Sequence, residues 1–302
     1  MSLDFIDTRM MSDTTLAWPT KLINELVSDV RVIYSDIDGT LFGPGGCLFK
    51  DSGHGFTDAP ALAIVQCHIN NIDIVPVSGR SNKQLRSDSR ILGFNSWISE
   101  LGCQLVYDNG ETTVLNTGDI QETDFTVWEL ILDGGAPDLL LREFPGRLEY
   151  HDPWAQGRDC THLFRGQIDI EHANELLLSN NFKNLCIIDN GRVRRRGKSL
   201  DSSITEIRAY HLLPRVSNKA SAVRKDIATR GVKISHTIAI GDSEADLELA
   251  NEVGALFLVK NALNDSPRLI EKIRDFGNVF ITSAEMGLGW TEVVRYFLER
   301  KI

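Results

Sequence analysis

Asp36-Ile37-Asp38-Gly39-Thr40 closes the apolar run Val32-Ile33-Tyr34 and sets two carboxylates two positions apart at the mouth of a strand. A strand alternates faces with period two, so Asp36 and Asp38 leave it on the same side and can serve one reacting centre. Gly39 permits the tight turn that follows. Two carboxylates this close repel strongly where water is scarce, which calls for a bound cation or for one of them held protonated. Either state suits phosphoryl transfer, with one aspartate attacking phosphorus and the other moving a proton. The competing reading is a solvated turn, since Asp-Gly alone is ordinary turn chemistry. The whole string after a buried strand favours the site.

Outward from this point, short apolar strands alternate with helices. Thr20 to Ser28 reads as an amphipathic helix capped by Thr20, and Asp58 caps a second helix that runs to about Asn70. Between them Phe42 to Thr57 carries six residues of Gly and Pro, a composition suited to a flap over the first aspartates. Ile72 to Val77 is a buried strand ending in Ser78-Gly79-Arg80. Much later Ser217 opens a helix to Arg230, and Thr237 to Ile240 is a strand ending in Gly241-Asp242-Ser243. Ala255–Val259 and Val279–Ile281 complete the set. This order predicts an α/β fold with a doubly wound parallel sheet, whose sites gather beyond the carboxyl ends of the strands.

From about residue 108 to 213 the texture changes. Gln104–Tyr107, Asp108-Asn109-Gly110 and Thr112–Leu115 form a hairpin signal, and Leu185–Ile188 followed by Asn190-Gly191 forms a second. Helices near 121–133 and 171–180 and a return strand over 206–212 complete an inserted α+β cap. The predicted organisation is a core of residues 14–107 and 214–302, a cap of 108–213, and a polar tail of 1–13 outside the fold.

Composition narrows the class. The chain of 302 residues has 42% hydrophobic and 25% charged content, ordinary for a globular protein, and a formal charge of −10 argues against a nucleic-acid or anionic-membrane partner. Five scattered cysteines, odd in number and without a CxxC pair, argue against a disulfide framework or zinc ribbon and make a reduced cytoplasm the expected compartment. No apolar run is long enough for a membrane helix.

Four strand or helix ends therefore present phosphoryl-transfer groups, and in them the chain resembles the haloacid dehalogenase superfamily. Asp36-Ile37-Asp38-Gly39-Thr40-Leu41 is similar to the family's first motif, Val77-Ser78-Gly79-Arg80 to its second, Asn218-Lys219-Ala220 to its third, and Gly241-Asp242-Ser243-Glu244-Ala245-Asp246 to its fourth. The resemblance implies Asp36 as nucleophile, Asp38 as acid and base, and Lys219 as the cation beside Asp36 and the phosphate. It implies Ser78, Gly79 and Lys219 as phosphate-binding groups, and Mg2+ held by Asp36, Asp38 through its backbone carbonyl, and Asp242. Thr40, Arg80, Ser243 and Asp246 are supporting residues, with Arg80 equally suited to substrate or to neighbouring carboxylates. Many relatives of the Cof type carry asparagine where this chain has Ala245, so a polar contact at that point is absent or replaced.

Motif spacing places the cap. The interval from Asp36 to Ser78 holds only the flap and one helix, whereas that from Ser78 to Lys219 accommodates a cap of about a hundred residues. This resembles the branch that includes the Cof-type, sucrose-phosphate, trehalose-phosphate and mannosyl-3-phosphoglycerate phosphatases and phosphomannomutase. Trp97 to Cys103 looks like the strand and turn leading into such a cap. In the cap, Trp154, Arg158 and His162 are candidate sugar contacts in a polar, aromatic loop, and Arg194 and Arg196 belong to a basic cluster after Asn190-Gly191 that suits a second anion or a solvated hairpin face. The expected partner is a small phosphorylated metabolite. The expected function is a phosphatase working through an aspartyl phosphate; a sugar phosphomutase and a weakened sugar-phosphate binder are the alternatives.

Overall fold

The computed structural model describes residues 18–193, 197, 199–265 and 269–300. In chain order the first core segment is α1 (Thr20–Leu26), β1 (Val32–Ser35), α2 (Ala59–Ile69), β2 (Asp73–Pro76) and α3 (Asn82–Leu92). A small sheet of β3 (Trp97–Ser99), β4 (Gln104–Tyr107) and β5 (Thr112–Leu115) follows. The cap comprises α4 (Val127–Asp133), α5 (Ala136–Glu143), β6 (Leu148–Tyr150), β7 (His162–Gly166), α6 (Ile170–Ser179), β8 (Leu185–Arg192) and β9 (Arg208–Pro214). The chain returns through α7 (Lys219–Arg230), β10 (Thr237–Gly241), β11 (Ala255–Leu258) and β12 (Val279–Ile281) to the final helix Met286–Leu298.

The central sheet is parallel throughout, in the order β12-β11-β10-β1-β2. All four residues of β1 are buried, as expected of a parallel strand covered on both faces. Alternation divides them: Ile33 packs with Ile74, Ile238 and Trp290, while Tyr34 packs with Val75, Ala239 and Val223. Asp36 and Asp242 follow the adjacent strands β1 and β10, and Ser78 lies two residues beyond β2. The shared carboxyl edge thus gathers three motifs. Asn218 caps α7 by accepting from the Ser221 N–H, which brings Lys219 into the first turn.

Several boundaries differ from the sequence reading. Thr20 is the first residue of α1 rather than its cap, and the helix ends at Leu26, where Val27 becomes extended and turns into the core. The expected hairpin over 104–115 forms, but β4 also pairs with β3, and Tyr107 and Val114 pack on the core cluster. Asn190-Gly191 does not turn the chain. It lies within β8 at a bulge, with Gly191 at φ +95°, and the strand continues to Arg192. Pairing of Ile188 with His211 and Arg192 with Arg208 keeps the chain extended there, so the return strand is shifted to Arg208–Pro214. The expected tail and Arg194 and Arg196 lie outside the described residues.

The cap sheet is antiparallel, ordered β6-β7-β9-β8. Phe164, Ile187, Tyr210 and Leu212 face its helices and pack against Ile131, Leu140, Ala173 and Leu177. His211, between Tyr210 and Leu212, must then face the other way, towards the core. Among the described residues no helix is long and apolar enough to cross a membrane.

Candidate active site

The site is organised around a buried ammonium. Lys219 Nζ donates to Asp36 Oδ1 and to Asp246 Oδ1, each at 2.7 Å. Burial disfavours the charged lysine, but Asp246 and Asp36 outweigh it and raise its pKa above the usual lysine value. Burial pushes the Asp36 carboxyl up to about 6 against the lowering effect of Lys219, and Asp246 and Asp38 add to the rise. Asp242 is likewise held well above the usual carboxylate range by burial, then by Asp36 and Asp246. Three crowded carboxylates thus face one ammonium, an excess of negative charge that favours a further cation.

Asp246 is fully buried and orders the fourth motif. Its Oδ2 accepts from the Asp242 N–H at 3.2 Å, the Ser243 N–H at 3.1 Å and the Ser243 hydroxyl at 2.7 Å. Ser243 and Asp246 therefore form the capping pair of the short helical stretch that follows. The first and fourth motifs also touch directly. Gly39 has φ +84°, and a Cβ there would stand 2.2 Å from Asp242 Oδ2, so only glycine permits this approach. Asn261 braces the contact by donating to the Gly39 carbonyl at 2.9 Å and to Asp242 Oδ2 at 3.5 Å, while its Oδ1 accepts from the Met286 N–H. Thr40 is buried and its hydroxyl has no hydrogen-bond partner among the described residues.

Asp38 has different partners from Asp36. Both its oxygens accept from Arg80, which also donates to Asp88 at 2.7 Å and lies over the Phe42 ring. Of the two roles open to Arg80 in the sequence, tying its motif to neighbouring carboxylates is the one the geometry displays. Ser78 is buried, and its hydroxyl accepts from the Arg80 N–H at 3.2 Å. Ser81 caps α3, in a reciprocal pair with Gln84. Asp36, Asp38, Asp242, Asp246, Lys219 and Arg80 are thus linked through direct contacts or mutual electrostatics.

The cap candidates separate. Arg158 is buried and reaches the core, donating to the Gly79 carbonyl at 3.0 Å, to the Trp154 carbonyl at 3.0 Å and to Thr161 Oγ1 at 2.9 Å. Trp154 is half exposed in the loop before it. His162 points to the helix side of the cap sheet, as Phe164 does, and is stacked on Trp128 at 4.5 Å. Its ring nitrogens contact the Trp128 carbonyl and the Tyr150 hydroxyl. Period two along β7 is the reason it faces that interior.

Three further features escaped the sequence reading. Glu100, buried in the turn after β3, accepts from the N–H groups of Asp159, Cys160 and Thr161 and from the Thr161 hydroxyl. Asn190 and His211 approach Gly79 from the cap. Asn261 stands just beyond the strand read over 255–259, so the strand-end rule would have marked it; Glu100, Asn190 and His211 carry no comparable local signal.

Among the described residues no group of three His, Cys, Asp or Glu side chains is arranged to hold a metal ion. Two carboxylates with a backbone carbonyl, the rest being water and substrate oxygens, is a donor set suited to a hard cation that keeps its water. A family model for haloacid dehalogenase-like hydrolases matches residues 159–272, across the cap and the third and fourth motifs. Over those residues the chain matches the haloacid dehalogenase-like hydrolases. It is also similar to the phosphoglycolate phosphatases of Sulfolobus acidocaldarius and Metallosphaera sedula. They are 27% and 25% identical over 77% of this chain, covering 85% and 86% of theirs. Among solved structures, a Thermoplasma acidophilum protein superimposes with TM-score 0.60 at 16% identity over 89% of this chain and 98% of its own. The sucrose-phosphatase of Synechocystis, solved with sucrose and phosphate, gives TM-score 0.56 at 18% identity over the same shares. These structural likenesses establish the hydrolase fold alone.

Proposed function

We propose that this haloacid dehalogenase-like hydrolase is a magnesium-dependent phosphatase acting on a phosphorylated sugar or related small metabolite, with a covalent phosphoryl group on Asp36. The observation that carries the reading is the contact of Lys219 Nζ with Asp36 Oδ1, which fixes the nucleophile beside a cation and leaves its second oxygen for phosphorus. The names of the phosphatase relatives support a small phosphorylated substrate. Cysteines that are all free thiols among the described residues fit a reduced cytoplasm.

In this reading Asp36 attacks phosphorus, the bond to the ester oxygen breaks, and Asp38 gives that oxygen its proton. Asp38 then takes a proton from a water whose oxygen displaces Asp36, releasing inorganic phosphate. Ser78, the neighbouring N–H groups and Lys219 hold the phosphate oxygens. Asp36, Asp242 and the Asp38 carbonyl would hold Mg2+, which when bound offsets the repulsion between a phosphate ester and a carboxylate. The cap excludes water while the ester is intact.

Release of phosphate from p-nitrophenyl phosphate with magnesium, abolished by Asp36→Asn, is the expected result. Undiminished turnover in Asp36→Asn would sink the covalent role of Asp36.

A further inference from the structure

The second motif is held from two sides. Ser78 donates its N–H to the Ile98 carbonyl at 3.0 Å, and its own carbonyl accepts from the Leu101 N–H at 3.0 Å. The Arg80 carbonyl accepts from the Glu100 N–H at 3.0 Å. These partners all belong to β3 and the turn after it. The peptide between Gly79 and Arg80 is different, because its carbonyl accepts from a cap residue, Arg158, through Nη2 at 3.0 Å. The N–H of the same peptide donates to the Ser78 hydroxyl oxygen at 3.2 Å. One rigid plane therefore carries Arg158 at one end and Ser78 Oγ at the other. Gly79, without a Cβ, does little to restrain that plane by itself. Arg158 is fixed within the cap by donating from Nε to the Trp154 carbonyl and from Nη1 to Thr161 Oγ1, which aims Nη2 at Gly79. Glu100 Oε2, 3.9 Å from Nη1, sets a counter-charge beside the buried guanidinium. Its carboxylate also accepts from the N–H groups of residues 159–161 and so ties the loop that follows Arg158 to the same turn.

We propose that Arg158 is a positioning residue of the phosphate site: by holding the Gly79 carbonyl it sets the plane of the Gly79–Arg80 peptide, and with it the Ser78 hydroxyl, so that phosphate is bound tightly only when the cap is docked. The inference rests on the phosphatase reading, in which Ser78 holds a phosphate oxygen, and adds the cap to that hold. A hydroxyl that accepts from one N–H still has its proton to give. With the Arg80 N–H fixed against Ser78 Oγ, that proton is turned away from the peptide and is available to an anion. Withdrawal of Arg158 leaves the Gly79 carbonyl without its buried donor, and the plane is then free to rotate and take the Arg80 N–H off the hydroxyl. Arg158 thus acts on the phosphate through the turn rather than by touching a sugar. Docking of the cap and binding of phosphate strengthen each other by the same factor in both directions.

The test measures binding of inorganic phosphate by calorimetry, with magnesium, beside kcat and KM for p-nitrophenyl phosphate. Arg158→Met and Ser78→Ala are each expected to weaken phosphate binding by about tenfold, the worth of one hydrogen bond to a charged group, and to raise KM for the ester more than they lower kcat. The double variant is expected to lose about tenfold as well, rather than about a hundredfold, because the two side chains act through one peptide. An Arg158 that only stabilised the cap would let the two losses multiply. Should Arg158→Met not fold, the native protein carries the same test: saturating phosphate is expected to slow amide exchange at residues 159–161 by about tenfold, and to have no such effect in Ser78→Ala. Phosphate affinity unchanged in folded Arg158→Met, losses that multiply, or exchange at residues 159–161 indifferent to phosphate overturns the positioning role and, where hydrolysis of the ester still requires Asp36, leaves the phosphatase reading standing. A native protein that neither binds phosphate nor hydrolyses the ester overturns both.

Discussion

Arg80 holds Asp38 by both carboxylate oxygens, with Nη2 2.5 Å from Oδ1 and Nε 2.7 Å from Oδ2. Its remaining nitrogen engages Asp88, so the guanidinium is fixed from two sides and in turn fixes the carboxylate proposed to move protons. Lysine retains the charge but lacks the planar fork. Arg80→Lys is predicted to lower kcat by about 10- to 100-fold, part of the roughly 100- to 10,000-fold that general acid–base catalysis supplies, with a displaced limb in the pH–rate profile. A profile of unchanged shape and height would remove Arg80 from the positioning of Asp38.

Lys219 is the counter-charge for Asp36 and Asp246 together. Lys219→Met leaves both buried without it, and breaking such a cluster costs about 3–5 kcal/mol in addition to activity. Adding Asp246→Asn should restore part of the stability and none of the activity. Urea melts of both variants check the first statement, and phosphate release checks the second.

Magnesium should bind the native site and raise Tm. At 100 times its dissociation constant a ligand adds about 2.7 kcal/mol, or roughly 5 °C for a chain of this size. Asp242→Asn is expected to abolish the shift, measured by calorimetry with and without chelator. An equal shift in Asp242→Asn would place the ion elsewhere.

His162 makes cap stability pH-dependent. Burial lowers its pKa to about 4, and nearby Arg158 adds to the effect while the Trp128 carbonyl opposes it. In the unfolded chain the ring titrates near 6.5, so between about 6.5 and 4 only the unfolded state binds the proton. Its contribution is complete above that window and declines as pH falls through it. Between pH 7.5 and 5 the loss attributable to His162 is about 2 kcal/mol. His162→Gln is predicted to be less stable at neutral pH but to lose correspondingly less on acidification, read from urea midpoints at the two pH values.

Glu100 joins the turn after β3 to the cap. Glu100→Ala leaves three N–H groups and a hydroxyl without their acceptor, a loss of about 2–4 kcal/mol where water does not replace it. Glu100→Gln keeps one acceptor oxygen and should fall between that variant and the native protein. Hydrogen exchange at residues 159–161 is the direct measure, and unchanged protection in Glu100→Ala would dissociate the turn from the cap loop.

The sequence by itself determined the parallel sheet, the inserted cap and which residues stand at the strand ends, because burial on both faces leaves continuous apolar runs and the groups that follow them share one edge. Asp36 and Asp242 were legible on those terms, whereas Lys219, in the first turn of α7, was marked by the third motif of the resemblance. Only the tertiary structure decided the partners of side chains whose meaning depends on a distant element. Arg80 turned to Asp38 and Asp88, Glu100 to the 159–161 loop, and His211 to Gly79, contacts between segments far apart in the chain. His162 went to the cap interior because the register of β7 with β9 set its face, and pairing across a sheet is not written in the local pattern of either strand.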